Sequence, residues 1–442
     1  MTRSAGRSRP GGPEMLSGID ARCNVNSGAV WPRLVISAAM VAVGFTWTAA
    51  GDAPTVSAIL TTSQSRANYL AHARIWEDPG ALSPEDVLDG PSGVFPYTFA
   101  EATSDEGIAC TFAKRGKDLG GATVKFLCTT GNGQTLRIKY WNPDREQGNR
   151  EVFAMVAATR LTWALGFDTL PALPLNVRCD RCPENPMTGE GEPATRHYLG
   201  ELQAFPPGGP LILSGDDRNQ GWSWRELDDA ISALPAGPER IRQRTHFDAL
   251  TLLGVFIQHG DRKGEQQALY CSASVNLAAG TTKPKADGDT QSILLLEGPT
   301  DSSCAQSAAM IVDVGATFGG AGRTSSDKTA KMDLDQWRRR PVFHKMTDGV
   351  CRGDLTVSYA ARHDGEGDPV VSEDGRAFLL DQLHRLTPAH VRALFTAARV
   401  EDLGKRSIRT RAAGTRTATD EWVDVFQDKV RQIEAQRCRP AS

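Results

Sequence analysis

His259-Gly260-Asp261-Arg262-Lys263-Gly264-Glu265-Gln266-Gln267 is the stretch on which the reading of this chain turns. An apolar helical run, Phe247 to Ile257, leads into it, and the short apolar segment Ala268-Leu269-Tyr270 leads out. A charged, glycine-containing loop between a buried helix and a buried strand is where folds display chemistry. Asp-Arg followed by an amide five residues after the Asp suits a base or anchor next to a metal-binding oxygen. Downstream, Ile311-Val312-Asp313-Val314-Gly315 puts a carboxylate at the end of an apolar strand, just before a glycine. Upstream, Leu136-Arg137-Ile138-Lys139 sets a lysine on an apolar strand. Lysine, Asp-Arg-x-x-x-amide and Asp-x-Gly, in that order, are parts that handle phosphates and a metal.

The chain has 442 residues, enough for one large or two ordinary domains with a substantial core. Its net charge of −3 gives no global field for nucleic acid or an acidic membrane, and no nucleic-acid partner is expected. Residues 1–33, rich in Arg, Gly, Ser and Pro, are expected to be disordered. Leu34 to Ala50 is an uncharged apolar run after Arg33, short for a membrane span of roughly 20 residues. Ala49-Ala50-Gly51-Asp52 behind it is a site a signal peptidase could cut, so 34–50 reads as a signal peptide or an uncleaved membrane anchor. The protein is therefore expected to be exported, to a periplasm, an extracellular space or a secretory lumen. Without Cys23, eight of the nine cysteines remain, an even set that suits an oxidising compartment. Cys110 with Cys128, and Cys271 with Cys304, are the pairs suggested by neighbouring strands. Cys179-Asp180-Arg181-Cys182 has zinc-knuckle spacing but no second pair, so a local disulfide, two separate ones and structural zinc all stay open.

Residues 51–106 form a polar lead-in with one helical patch around Ser65–Trp76. From Ile108 the pattern turns to strands: Ile108–Ala113, Thr123–Thr129 and Thr135–Trp141, with Gly131-Asn132-Gly133 as a hairpin turn. Gly116-Lys117-Asp118-Leu119-Gly120-Gly121, between the first two, could place backbone N–H groups over phosphates or simply supply positive φ at a turn. An amphipathic helix from Arg150 to Leu165 follows, closed by Gly166. Glu151 in its first turn could pair with Lys139, or merely offset the helix dipole. Further strands are expected at 168–180 and around Tyr198–Phe205, helices at Trp222–Leu234 and Arg240–Ile257, and an inserted loop at 274–290. The C-terminal part reads as helical over Ser372–Leu386, Pro388–Arg399 and Glu421–Ala435.

The order of Lys139, the Glu151 helix ending in Leu165-Gly166-Phe167, the Phe247–Ile257 helix feeding Asp261-Arg262, and Asp313-Val314-Gly315 is similar to the atypical kinases. These comprise HipA-like, phosphatidylinositol 3/4-kinase-like and secretory-pathway (Golgi casein kinase type) enzymes, and the resemblance covers about Gly107 to Phe395. It implies an α+β, two-lobed kinase-like fold: a small β-rich N-lobe (107–180), a larger helical C-lobe (181–400) and a C-terminal linker and helix (401–442). It implies ATP between the lobes with Mg²⁺ or Mn²⁺, Lys139 on the phosphates held by Glu151, and Gly116, Gly120 and Gly121 over them. Asp261 becomes the catalytic-loop carboxylate with Arg262 beside it, and Asp313 with Gln266 the metal side. The chain departs from the pattern in three places. Lys263 stands where those families have His, Gln266 where Asn is common, and Met155 at the secretory-kinase position of the helix Glu.

Three functions follow from these residues. One is an exported ATP- and metal-dependent phosphotransferase acting on a protein, sugar or lipid hydroxyl. A second is the same fold as a pseudokinase or an AMP-transferring enzyme. The third is a disulfide-stabilised extracytoplasmic binding protein without nucleotide. The chain has no Gly-x-Ser-x-Gly elbow and no His-Glu-x-x-His helix, which sets hydrolase and zincin readings aside.

Overall fold

Alternating side chains decide the architecture of the first half. Strands β1 (Ile108–Arg115), β2 (Lys125–Thr130) and β3 (Thr135–Tyr140) run antiparallel in sequence. Phe126, Cys128, Leu136, Ile138 and Tyr140 point to one face and are buried together. Further along the chain are helix α4 (Glu151–Ala164), β4 (Ala172–Cys182) and β5 (Ala194–Gln203). The strand order β1-β2-β3-β5-β4 closes into a barrel because β1 pairs in parallel with β4, from Ile108 opposite Val177 to Thr111 opposite Asp180. Leu173, Leu175, Val177 and Leu202 complete its core. The expected boundary at residue 180 therefore falls inside the barrel: without β5, strands β3 and β4 have no shared neighbour.

The computed structural model describes residues 62–120, 123–141, 150–206, 208–211, 221–274, 304–319, 331–344, 348–355, 367–405 and 417–439. The apolar run 34–50, the 274–290 insertion beyond Ser274 and Gly121 lie outside them. No helix among the described residues is long and apolar enough to cross a membrane.

Helix α4 differs from expectation. It is not amphipathic: every residue but Trp163 is buried, because α4 is enclosed by barrel strands on one side and helices on the other. Gly166 ends the helix at φ +87°, and a Cβ there would lie 2.2 Å from the Glu77 carbonyl, so glycine is required twice over.

Beyond the barrel a short strand, β6 (Gly209–Pro210), pairs with β7 (Gln267–Ser274), which pairs with β8 (Cys304–Ile311). Two helices, α5 (Trp224–Ser232) and α6 (Pro238–Phe256), precede β7, so that α6 and β7 flank the Asp261 loop. Downstream come α7 (Leu334–Arg339), a two-stranded pair β9 (Cys351–Arg352) and β10 (Val370–Val371), and four helices. Those are α8 (Glu373–His384), α9 (Pro388–Ala397), α10 (Val400–Lys405) and α11 (Ala418–Ala435). Phe256, Phe318, Trp337, Phe395, Trp422 and Phe426 form one aromatic cluster under the Asp261 loop, mostly edge to face.

The lead-in is a tether rather than an inert spacer. Its short helices span Thr62–Ala71, Pro84–Asp89 and Phe99–Ala102. Arg74 makes a bidentate pair with Asp168, and its backbone bonds Ser307 and Ala309 of β8. Gln243 on α6 donates to the carbonyls of Ala71 and Ala73, and Trp76 donates to Leu165 at the end of α4. This segment therefore bonds the end of the barrel helix and the strand leading to Asp313 at once. All eight cysteines expected after export are paired: Cys110–Cys128, Cys179–Cys182, Cys271–Cys304 and Cys351–Cys438. The Cys-x-x-Cys is thus a local disulfide, not half a zinc site.

Candidate nucleotide-binding site

Lys139 lies on the face of β3 that looks away from the barrel core, since Ile138 and Tyr140 on either side point inward. It is 6 % exposed and its Nζ meets three carboxylates: Glu151 Oε1 at 3.2 Å, Glu201 Oε1 at 3.5 Å and Asp313 Oδ2 at 3.6 Å. Burial works against the ammonium, but the carboxylates, Asp313 foremost, outweigh it and raise its pKa above the ordinary lysine value. Glu151 opens α4, where its charge also favours the helix N-terminus. Thr123 donates to both its oxygens, and Lys331 reaches Oε2 at 2.5 Å. Burial alone would raise the Glu151 carboxyl; Lys139 and then Lys331 prevail and hold it well below the usual range. Gly315 lets this happen, because a Cβ there would sit 2.3 Å from Glu151 Cγ.

The Asp261 loop is locked to the Asp313 segment through its backbone. The Gln266 carbonyl accepts from the N–H groups of Val312 (2.8 Å) and Asp313 (3.2 Å), while Gly315 N–H donates to Asp313 Oδ1. The Gln266 amide nitrogen lies 3.4 Å from Asp261 Oδ2, and Lys263 Nζ 3.3 Å from Oδ1. Burial pushes the Asp261 carboxyl above its usual range against the pull of Lys263. Arg262 turns the other way: 2 % exposed, its guanidinium stacks 3.5 Å from the Trp224 ring centroid. His259 is also buried, and burial, with Arg262 nearby, lowers its ring to about 3, so it stays neutral.

No family model and no curated protein matches the chain. Solved structures do. A proinflammatory kinase of Helicobacter pylori, CtkA, is 9 % identical over 71 % of this chain and 90 % of its own, with a TM-score of 0.32. The Golgi casein kinase is 12 % identical over 87 % and 90 %, with a TM-score of 0.30. The HipA–HipB–operator DNA complex of Shewanella oneidensis MR-1 is 12 % identical over 86 % and 80 %, with a TM-score of 0.29. Its fold neighbours are atypical kinases. TM-scores of 0.32, 0.30 and 0.29 transfer no residue's role, so each role below comes from this chain's own geometry.

Of the residues singled out in the sequence, Lys139, Glu151 and Asp313 meet at one point, and Gln266 joins Asp261 to them. Arg262 faces Trp224 and packs the loop. Gly116 needs correction: its N–H donates to the Pro186 carbonyl, and a Cβ would lie 1.8 Å from the Lys125 carbonyl. Gly116 is thus a close-packing glycine whose donor is already used. Gly120, at φ +65°, ends the turn Gly116–Leu119 and has open space around it.

Four further residues belong to this cluster. Glu201 stands opposite Lys139 on β5, and burial raises its carboxyl to about 8. A carboxylate inside Leu199-Gly200-Glu201-Leu202 was a visible signal. Lys125 on β2 stands opposite Lys139 on its other side; burial, then Arg137 and Lys139, lower it to about 8. Arg137 shares the face of Lys139 by alternation, which the sequence also shows. Nothing in the sequence marks Lys331, which arrives from far along the chain.

Asp313 offers carboxylate oxygens, the chemistry that suits Mg²⁺ or Mn²⁺. The described residues hold no group of three or more His, Cys, Asp or Glu that could bind a metal unaided. Asp313 and Gln266 are the residues that would hold a cation here, with phosphates completing its shell in the usual manner for magnesium.

Proposed function

We propose that the chain is an exported phosphotransferase that moves the γ-phosphoryl group of ATP to a hydroxyl acceptor, in a two-lobed arrangement. The barrel with α4, through Gln203, would be the smaller lobe, and the helices beyond it the larger. One observation carries the reading: a single buried lysine bridges Glu151 of the helix and Asp313 of the Asp-x-Gly segment. That is the arrangement a kinase needs to present an ammonium to phosphates. Lys139, kept extended by Glu151, binds the phosphates, and Asp313 with the Gln266 amide oxygen holds the cation. Bound Mg²⁺ or Mn²⁺ supplies charge neutralisation and orientation of those phosphates. Asp261 orients the acceptor hydroxyl and takes its proton as the acceptor oxygen bonds to the γ-phosphorus and the bond to ADP breaks. Arg262, anchored on Trp224, positions Asp261. Export is supported by four disulfides, which an oxidising compartment maintains.

A second reading, transfer of AMP, is favoured by one contact. Lys263 and the Gln266 amide both occupy Asp261, which leaves its carboxylate less able to take an acceptor's proton. Incubating the folded chain with Mn²⁺ and ATP labelled at the α or the γ position separates the two. Transfer of γ-label that is lost in Asp261→Asn supports the kinase reading. Transfer of α-label replaces it with nucleotidyl transfer, and γ-label transfer untouched by Asp261→Asn refutes the role given to Asp261.

A further inference from the structure

Lys331 takes no part in the chemistry above, yet the backbone around it is built to place it. Its Nζ lies 2.5 Å from Glu151 Oε2, so Glu151 divides its two oxygens between Lys139 and Lys331. Lys331 belongs to no helix or strand and is fixed by its neighbours. Met332 N–H donates to the Thr317 carbonyl at 3.1 Å, and Asp333 N–H to the Phe318 carbonyl at 2.8 Å. Arg150, at the start of α4, donates from Nη1 to the Met332 carbonyl at 3.2 Å. On the other side, Phe318 N–H donates to the Ile257 carbonyl and Gly260 N–H to the Ala316 carbonyl. Residues 316–318 and 331–333 thus bond to each other, to the start of α4 and to the approach to Asp261.

Two residues of this tie carry backbone strain. Phe318 has φ +55° and Met332 φ +45°, left-handed values that bulky L-residues rarely adopt. Both are buried, Phe318 against Trp337 and Phe395. Such strain persists only where the surrounding packing holds it, and it gathers at functional sites. An ordinary partly exposed ion pair needs no such frame, because it contributes little to stability. The charge also reaches the loop: burial raises the Asp261 carboxyl, and Lys331 pulls against it, after Lys263.

We propose that Lys331 is a latch: by pairing with Glu151 it couples the Asp261 loop to the Glu151–Lys139 pair, and so positions the acceptor-side carboxylate against the phosphate-side lysine. The inference rests on the phosphotransferase reading above and adds the residue that keeps the two sides of the site in register. Lys331 is a positioning residue, acting through Glu151 and the loop rather than on substrate. Phosphoryl transfer is almost wholly a matter of such positioning, so a small shift between the two sides lowers turnover more than binding.

The test uses the full chain with its disulfides intact, Mn²⁺ and γ-labelled ATP, with melting curves to establish that each variant is folded. Lys331→Met should lower kcat roughly 10–100-fold, the cost of a displacement on the order of 1 Å. KM for ATP should move by less than about threefold, because the interaction acts on turnover and not on ground-state binding. Lys331→Arg, which keeps the charge, should restore most of the rate. Lys331→Met combined with Glu151→Gln should be no slower than Glu151→Gln alone, since both changes open the same latch. Amide hydrogen exchange gives a readout without substrate. In Lys331→Met the first turn of α4 and the Gly260 and Phe318 amides should exchange faster together, with the β2–β3 hairpin unchanged. An unchanged kcat, a change in KM alone, additive losses, or faster exchange confined to one side would overturn the proposal. If wild type transfers no γ-label, the phosphotransferase reading fails, and exchange alone then decides the coupling: joint loosening upholds the latch and its absence refutes it.

Discussion

Lys139→Met should destabilise the fold, and by an amount that depends on pH. In the native protein the ammonium is 8 % exposed at the side chain and faces Glu151, Glu201 and Asp313 at once. Removing one member of a buried ion pair costs about 3–5 kcal/mol, because the remaining charge keeps its desolvation penalty. Two features pull the expectation to the lower end, about 3 kcal/mol at pH 7. Glu151 retains Lys331 and Thr123, and Glu201 is largely protonated below about 8. In the variant the orphaned carboxyls hold their protons more tightly than in the unfolded chain. A carboxyl whose folded pKa is raised contributes stability below its unfolded pKa and loses it as pH rises through the folded one. The gap between wild type and variant should therefore be small near pH 4.5 and full by about pH 8. Denaturant unfolding at several pH values, disulfides intact, measures it. Adding Glu151→Gln to Lys139→Met should recover part of the loss. A loss that is absent at pH 8, or equal at every pH, would refute the buried-cluster reasoning.

Other consequences are simpler. Glu201→Gln removes a carboxyl raised to about 8. Wild type should lose stability between about pH 4.5 and 8, on the order of a few kcal/mol, while the variant's profile is flatter. Lys125, lowered to about 8, acts above that window and in the opposite sense, so parallel profiles over pH 5–8 would contradict the assignment. Gly315→Ala should displace Glu151, since the new methyl would overlap its Cγ, and lower nucleotide affinity with only a modest change in melting temperature. Unchanged affinity would show that Glu151 does not hold Lys139. Removing Cys351–Cys438, which closes a segment of 87 residues, should cost about 2–5 kcal/mol and lower the melting point without altering nucleotide binding.

The barrel strands and the α4 boundaries were legible because alternation and a glycine stop mark them locally. The role of β5 was not: Tyr198–Phe205 reads as an isolated strand, and only its pairing with both β3 and β4 makes it a barrel stave. The all-round burial of α4 escaped for a related reason. Even its polar side chains Arg160 and Thr162 are buried, which their residue types alone do not announce. In the site, Lys139, Glu151 and Asp313 were singled out by their order along the chain, and the fold brings their side chains together. Lys331, by contrast, is 180 residues from Glu151, and no local pattern encodes that contact. Gly116 misled because a glycine needed for close backbone packing looks the same in sequence as one that cradles a phosphate.

The most direct test of the whole account is calorimetric binding of ATP to the folded chain, with and without Mn²⁺, beside Asp313→Ala. The account predicts metal-dependent binding by wild type and at least a tenfold loss in Asp313→Ala, about 1.4 kcal/mol or more. Binding that ignores both the metal and Asp313, or no binding by folded wild type, would contradict it.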